Sequence, residues 1–323
     1  MKRREFITLL GGAVVSWPLA VRAQQPAPMP VVGFLHLGSL DQNRGPIRAF
    51  RQGLTDTGFV VGKTVEIDFR WEDSNRLQMP ELAADLVNRQ VAVLFTANGL
   101  WPVRVARAAT PTIPIVFFYG GDPVQDGLIA SWNRPGGNVT GVTGLQTELG
   151  GKRLGILHEL VPKATTVALL TSSASADTSR IVATARTLGL QVAVVGGNRD
   201  LESAFATAAE LQAGALIINN EPFFIYSAAK LVELAKHHKI PTMYSGAWFV
   251  RNGGLISYGT DVMGSYRQAA AQFVSPILKG SKPADLPIQR PSKFDLVINI
   301  KTANDLGLTI PRALLAAATE LID

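Results

Sequence analysis

Short apolar runs alternate with stretches of helical periodicity along this chain, and the whole alternation starts over after Asn138. A chain that keeps returning from strand through helix to strand builds parallel sheets with helices on both faces. Val31 to Leu35 reads as a strand, and Ile47, Phe50, Arg51 and Leu54 mark one face of a helix that stops near Gly58. Thr64 to Phe69 is the next strand, Leu82, Leu86 and Val87 the next helix, and Val91 to Phe95 a third strand. A short helix over Val103 to Ala109 and a strand over Ile115 to Phe118 close the series.

The second series opens with an extended Val139 to Val142 and a helix over Leu149 to Val161. Strands then fall at Val167 to Leu170, Gln191 to Val195, Ala215 to Ile218 and Thr242 to Tyr244. Helices over Ile181 to Leu188, Leu201 to Leu211 and Ala228 to His238 separate them. Between the two series stands Pro135-Gly136-Gly137-Asn138, a breaker cluster suited to a crossover. Two α/β units in tandem are therefore expected.

Residues 1–25 have a different character. Arg3-Arg4 and Phe6 precede an apolar run, Ile7 to Val15, that is too short to span a bilayer, and Pro18 and Val21-Arg22-Ala23 follow. That layout is a twin-arginine export signal, with cleavage expected near Ala23 and a periplasmic mature protein. Residues 24–30, rich in Gln and Pro, read as a linker. Loss of residues 1–23, with Lys2, Arg3, Arg4, Arg22 and Glu5, takes the formal charge from +6 to +3, so the basic balance belongs partly to the signal. No clustered Lys/Arg stripe remains, and no nucleic-acid partner is expected. The absence of cysteine excludes disulfides, thiolate metal sites and cysteine nucleophiles.

Motifs for chemistry are missing. Gly58 to Thr64 ends like a phosphate loop but is one residue short between its glycines and leads into a strand. No Gly-x-Gly-x-x-Gly follows a strand, and no Gly-x-Ser-x-Gly elbow occurs. His36, His158, His237 and His238 lack the spacing of metal ligands. No catalytic residue, metal or cofactor is expected.

Polar residues instead gather at the C-terminal ends of the expected strands, where open parallel sheets hold their ligands. In the first unit these are Ser39-Leu40-Asp41, Thr96-Ala97-Asn98 and Tyr119-Gly120-Gly121-Asp122. In the second they are Thr171-Ser172-Ser173, Asn219-Asn220-Glu221 and Ser245-Gly246-Ala247-Trp248. Each precedes a helix, so each also suits an ordinary N-cap; six such loops in two facing units point to a cleft.

Gly121-Asp122-Pro123-Val124-Gln125-Asp126-Gly127-Leu128-Ile129, followed by Arg134-Pro135-Gly136-Gly137-Asn138-Val139-Thr140-Gly141-Val142, resembles the ABC-transporter substrate-binding proteins of the tryptophan/tyrosine-binding type. Val297 to Pro311, Ile277-Leu278-Lys279-Gly280 and Leu286-Pro287 carry the same likeness to the end of the chain. The resemblance implies a type I periplasmic-binding-protein fold: two doubly wound parallel-sheet lobes on a three-crossover hinge, closing on a small molecule for a membrane permease. It places residues 31–138 and 259–284 in lobe one and 139–258 and 285–323 in lobe two. Crossovers are expected at Gly137 to Gly141, Ser257 to Gly259 and Pro283 to Ile288.

The ligand so implied is an amino acid or a related carboxylate or amide, although Thr96 to Trp101 departs from the family's usual loop. Ser39, Asn98, Ser172 and Ser173 are candidate donors to a carboxylate or amide. Asp122, Glu221 and Asp261 are the acids available to an ammonium, with caps and turns as their other roles. Tyr119, Trp248 and Tyr258 offer apolar or stacking surface. A monomeric solute-binding component of an ABC importer is the expected function; an exported sensory domain or an exported α/β enzyme is the alternative.

Overall fold

The computed structural model describes residues 28–72, 77–172, 176–196, 200–291 and 293–323; the export segment and Ser173 lie outside the described residues. The first sheet contains β1 (Val31–Leu37), β2 (Glu66–Glu72), β3 (Val93–Ala97), β4 (Ile115–Tyr119) and β5 (Val139–Thr143). Its order is β2-β1-β3-β4-β5, and every pair is parallel. Helices α1 (Arg44–Thr55), α2 (Met79–Asn88) and α3 (Leu100–Ala109) make the crossovers between its strands. Strands β3 and β4 are buried at every residue, which is why they read as unbroken apolar runs.

After α4 (Gly150–Leu160) the second sheet takes β6 (Thr166–Thr171), β7 (Gln191–Gly196), β8 (Ala215–Ile218), β9 (Thr242–Tyr244) and β10 (Ile256–Thr260). Between these run α5 (Ala176–Leu188), α6 (Leu201–Glu210), α7 (Pro222–Tyr226), α8 (Ala228–His237) and α9 (Ala247–Arg251). The chain then forms α10 (Val262–Ala269), a π turn over Ala270–Val274, and α11 (Ser275–Leu278). It returns to the second sheet as β11 (Phe294–Asn299), α12 (Ile300–Asp305), α13 (Arg312–Ala317) and β12 (Glu320–Ile322). The order is β12-β11-β10-β9-β8-β6-β7, parallel except for the antiparallel pair β10 and β11. Among the described residues no helix is long and apolar enough to cross a membrane.

The expected first crossover is corrected by the sheet pairing. Val139–Thr143 lies along β4 as the fifth strand of the first sheet, so the chain leaves that sheet after Thr143. The breaker at Pro135 to Asn138 turns the chain within the first unit. Asn138 Nδ2 donates to the carbonyls of Thr110 at 3.1 Å and Ile113 at 2.8 Å, fixing the start of β5 beside the loop that enters β4. Gly141 then presses against β4: with φ +152°, a Cβ there would sit 2.2 Å from the Phe117 carbonyl oxygen.

The segment after α11 also stays with the first sheet longer than expected. Gln289 N donates to Gly141 O at 3.1 Å and Thr143 N to Gln289 O at 3.0 Å, so Gln289 lies alongside β5 before the chain reaches β11.

Apolar clusters cover both faces of each sheet. On the first sheet Phe34, Phe50 and Phe95 pack with Tyr266 of α10, which ties that late helix to the first unit. On the second, Leu169, Ile217 and Met243 face α4 and α5, and Leu170, Ile218 and Tyr244 face the opposite helices. Burial of these strands and of one stripe on each helix supplies most of the drive to fold.

Candidate functional site

In a doubly wound sheet, the loops diverge where successive crossovers leave in opposite directions, and a crevice opens at the carboxyl ends of those strands. The strand orders put that point between β1 and β3 in the first sheet and between β6 and β8 in the second. A cavity of about 700 Å³ is lined from both units: Leu37, Asn98 and Trp101 from one, Asn220, Tyr226 and Trp248 from the other. The ends of β4 and α10 add Phe118, Tyr119 and Met263, and the turn after β5 adds Gln146.

The two units touch across this cavity. The Tyr226 hydroxyl donates to the Leu37 carbonyl at 2.8 Å and accepts from Asn98 Nδ2 at 3.2 Å. Asn98 holds a left-handed backbone (φ +63°), a conformation this residue type tolerates, and its amide thereby meets Tyr226. Gly38 has φ +94°, and a Cβ there would come within 2.6 Å of the Tyr226 ring.

Behind the Leu37 carbonyl lies His36, fully buried. Its Nε2 meets the Tyr266 hydroxyl at 2.7 Å and its Nδ1 meets the Leu37 carbonyl. Burial drives the imidazole pKa down to about 3, so the ring is neutral. Nδ1–H then donates to the carbonyl and Nε2 accepts from Tyr266, whose hydroxyl burial keeps protonated.

A second buried group supports the floor. Arg153 Nε donates to Tyr258 O at 2.8 Å, Nη1 to Gln146 O at 3.2 Å, and Nη2 to Gln146 Oε1. Asp177 lies 3.5 Å from Nη1 and accepts from Gly150 N at 2.8 Å. Burial lowers Arg153 to about 10, against the attraction of Asp177, and it remains charged at neutral pH. Burial pushes Asp177 up, with Arg153 opposing.

Of the residues expected in the site, Asn98, Tyr119, Gly120, Gly121, Asn220 and Trp248 line the cavity. The others stand outside its lining for identifiable reasons. Ser39 accepts from Asn43 Nδ2 through its carbonyl at 2.8 Å, Leu40 is about half exposed, and Asp41 pairs with Arg44 on the surface. Thr96 and Ser245 turn their hydroxyls into the fold. Asp122 accepts from the amides of Val124 at 2.8 Å and Gln125 at 3.2 Å and shapes that turn. Asp261 caps α10 through Gly264 N at 2.8 Å. Glu221 reaches back to the Thr171 hydroxyl at 2.8 Å and to Ser172 N at 3.0 Å, which occupies Ser172 as well. Asn219 is buried and donates to Thr171 at 3.0 Å and Thr178 at 3.2 Å, while Tyr258 stacks on Phe294.

Gln146, Arg104, Tyr226 and Met263 line the cavity without having been singled out. Gln146 sits in a three-residue 3₁₀ turn and Tyr226 in a five-residue helix, both too short for periodicity to reveal. Among the described residues no group of three His, Asp or Glu is placed to hold a metal ion.

Solved structures share this architecture. A conserved domain protein from Vibrio cholerae superposes with a TM-score of 0.81 at 25% identity, over 91% of this chain and 99% of that one. An ABC domain from Streptococcus pneumoniae in complex with L-Trp gives 0.80 at 25% identity, with the same coverage. A tyrosine-binding protein of Clostridioides difficile is 24% identical over 84% of this chain and 78% of its own length. These neighbours confirm the α/β fold of two parallel-dominated sheets seen in type I periplasmic binding proteins. Residues 30–322 match the family described as ABC transporter substrate binding protein, and the chain belongs to that family.

Proposed function

We propose that this protein is the extracytoplasmic solute-binding component of an ABC importer, holding an amino acid or a related carboxylate or amide between its two units. The observation that carries this reading is the cavity of about 700 Å³ with walls from both sheets and the Tyr226 to Leu37 hydrogen bond across it. A solute gripped from both sides stabilises the closed arrangement by as much as it prefers that arrangement to the open one. The permease then reads loaded from empty by the relative position of the units.

The likeness to proteins named for tyrosine binding and solved with L-Trp supports an aromatic solute. So do Trp101, Phe118, Tyr119, Tyr226 and Trp248 in the cavity wall. The twin-arginine segment supports export, with cleavage near Ala23 and a monomeric periplasmic protein as the working form. Thermal-shift measurement against amino acids, aromatic carboxylates, amides and sugars tests the proposal, because a ligand that binds only the folded chain raises its melting temperature. A hit among the first three classes is expected; a response to sugars alone would overturn the ligand class.

A further inference from the structure

Resting on the cavity being the solute site, we infer that Gln146 holds an oxygen of the solute through Nε2, and that Arg153 is the positioning residue that turns this end of the amide towards it. Gln146 lines the cavity although only 4% of it is exposed. It stands where the two units join. Leu145 before it has a left-handed backbone (φ +45°), uncommon for a leucine, and its N–H donates to the Thr143 hydroxyl at 3.2 Å. That hydroxyl donates in turn to Gly121 O at 2.6 Å, and Thr147 N donates to Gly120 O at 3.3 Å. The backbone on both sides of Gln146 is thus fastened to the loop after β4 in the first unit, while the side chain is held from the second.

The holder is Arg153 on α4, which is buried. Its Nη2 donates to Gln146 Oε1, Nη1 to the Gln146 carbonyl at 3.2 Å, and Nε to Tyr258 O at 2.8 Å. Asp177, 3.5 Å from Nη1, balances the charge. Because a guanidinium only donates, the amide must give it the oxygen and present the NH₂ elsewhere. That Nε2 lies towards β10, where a Cβ on Gly259 would be 3.3 Å from it, and it has no hydrogen-bond partner among the described residues. Nor is it sealed off from the cavity as the buried, unpartnered Trp248 Nε1 is.

Three other amides of the wall are engaged the other way round. The NH₂ groups of Asn43, Asn98 and Asn252 donate to Ser39 O at 2.8 Å, the Tyr226 hydroxyl at 3.2 Å and Trp248 O at 2.7 Å, and each keeps its oxygen as an acceptor. Arg104 has the Asp126 carboxylate as its electrostatic counterpart, and that carboxylate lies 2.9 Å from where a Cβ on Gly121 would stand. The wall as a whole therefore mixes donors and acceptors. Gln146 differs from those three asparagines in having its oxygen engaged and its NH₂ free, with the backbone and the guanidinium fixing that orientation before any solute arrives. A solute oxygen placed there meets a donor that needs no further ordering.

Calorimetric titration of the purified protein with L-tryptophan and with L-tyrosine tests the inference. Gln146→Glu keeps an oxygen for Arg153 and puts a second oxygen where the N–H was, so it is expected to weaken whichever amino acid binds by about tenfold or more. Gln146→Met, which removes the amide, is expected to weaken it about fivefold. Arg153→Lys keeps a charge beside Asp177 and loses the planar fork that holds Gln146, with an expected loss of about fivefold. On the Arg153→Lys background, Gln146→Met should cost less than about twofold more, because the amide is no longer aimed; two independent residues would multiply their losses. Affinity for Gln146→Glu within about twofold of the unaltered protein overturns the contact, and multiplied losses overturn the positioning role. Either result leaves the cavity reading intact, since the unaltered protein still binds. If Arg153→Lys does not fold, Gln146→Glu decides alone. If the unaltered protein binds neither amino acid, the aromatic-solute reading falls and the inference with it.

Discussion

Tyr226 and Leu37, on different units of the fold, are joined by a hydrogen bond of 2.8 Å between a side-chain hydroxyl and a backbone carbonyl. The carbonyl that receives it is pinned from behind by the neutral imidazole of His36, and Asn98 reaches the same tyrosine at 3.2 Å. The end of β1 is thus a fixed point against which the helix after β8 rests.

Tyr226→Phe removes the hydroxyl and keeps the ring. The expected result is a roughly three- to tenfold loss of ligand affinity, because the proposed closed arrangement loses a hydrogen bond between the two units. Melting temperature without ligand should change little. Titration calorimetry beside small-angle scattering of the unliganded variant checks it, and an unchanged dissociation constant would remove Tyr226 from the closure mechanism.

His36 gives the fold an acid limit. The folded imidazole protonates near pH 3 while the unfolded one protonates near the ordinary histidine value of 6.5, so the unfolded state binds more protons between these values. Stability contributed by the neutral ring is complete above pH 6.5 and is lost as pH falls through that window, by about 2 kcal/mol at pH 5. His36→Gln should be less stable at neutral pH yet show a flatter decline from pH 7.5 to 5 in chemical denaturation. An equally steep decline would show that other groups set the acid limit.

Arg153→Met leaves Asp177 buried beside an apolar side chain and frees the oxygens of Gln146 and Tyr258. Removing one partner of a buried ion pair costs about 3–5 kcal/mol. Arg153→Met with Asp177→Asn should recover part of that loss, since the uncompensated carboxylate is then gone. Urea denaturation of the two variants measures the difference, and a single-variant loss below about 1 kcal/mol would contradict a floor built on this pair.

The central strands were legible because a parallel strand buried on both faces leaves an unbroken apolar run, as in Ile115 to Tyr119 and Ala215 to Ile218. The passage of β5 into the first sheet was not. Pro135 to Asn138 signals a turn, but the direction taken after it is decided by the contact of Gly141 with Phe117, which no local pattern encodes. The loops around the cavity could be read from strand ends, whereas the side chains that face it could not. Asn219 and Thr96 point inward, and Glu221 folds back onto Ser172. Gln146 is presented by an arginine seven residues further along the chain.

Glu221 separates a ligand role from an architectural one. It stands in sequence between Asn220 and Pro222 of the wall, yet its oxygens serve Thr171 and Ser172 at the end of β6. Glu221→Gln keeps one oxygen for these donors and gives up the charge. The expected outcome is a loss of about 1 kcal/mol in stability with ligand affinity held within about twofold, since a hydrogen bond to a charged acceptor becomes an ordinary one. Urea denaturation and calorimetry on one preparation read both quantities. A drop in affinity of more than about tenfold with unchanged stability would instead place the carboxylate against the solute.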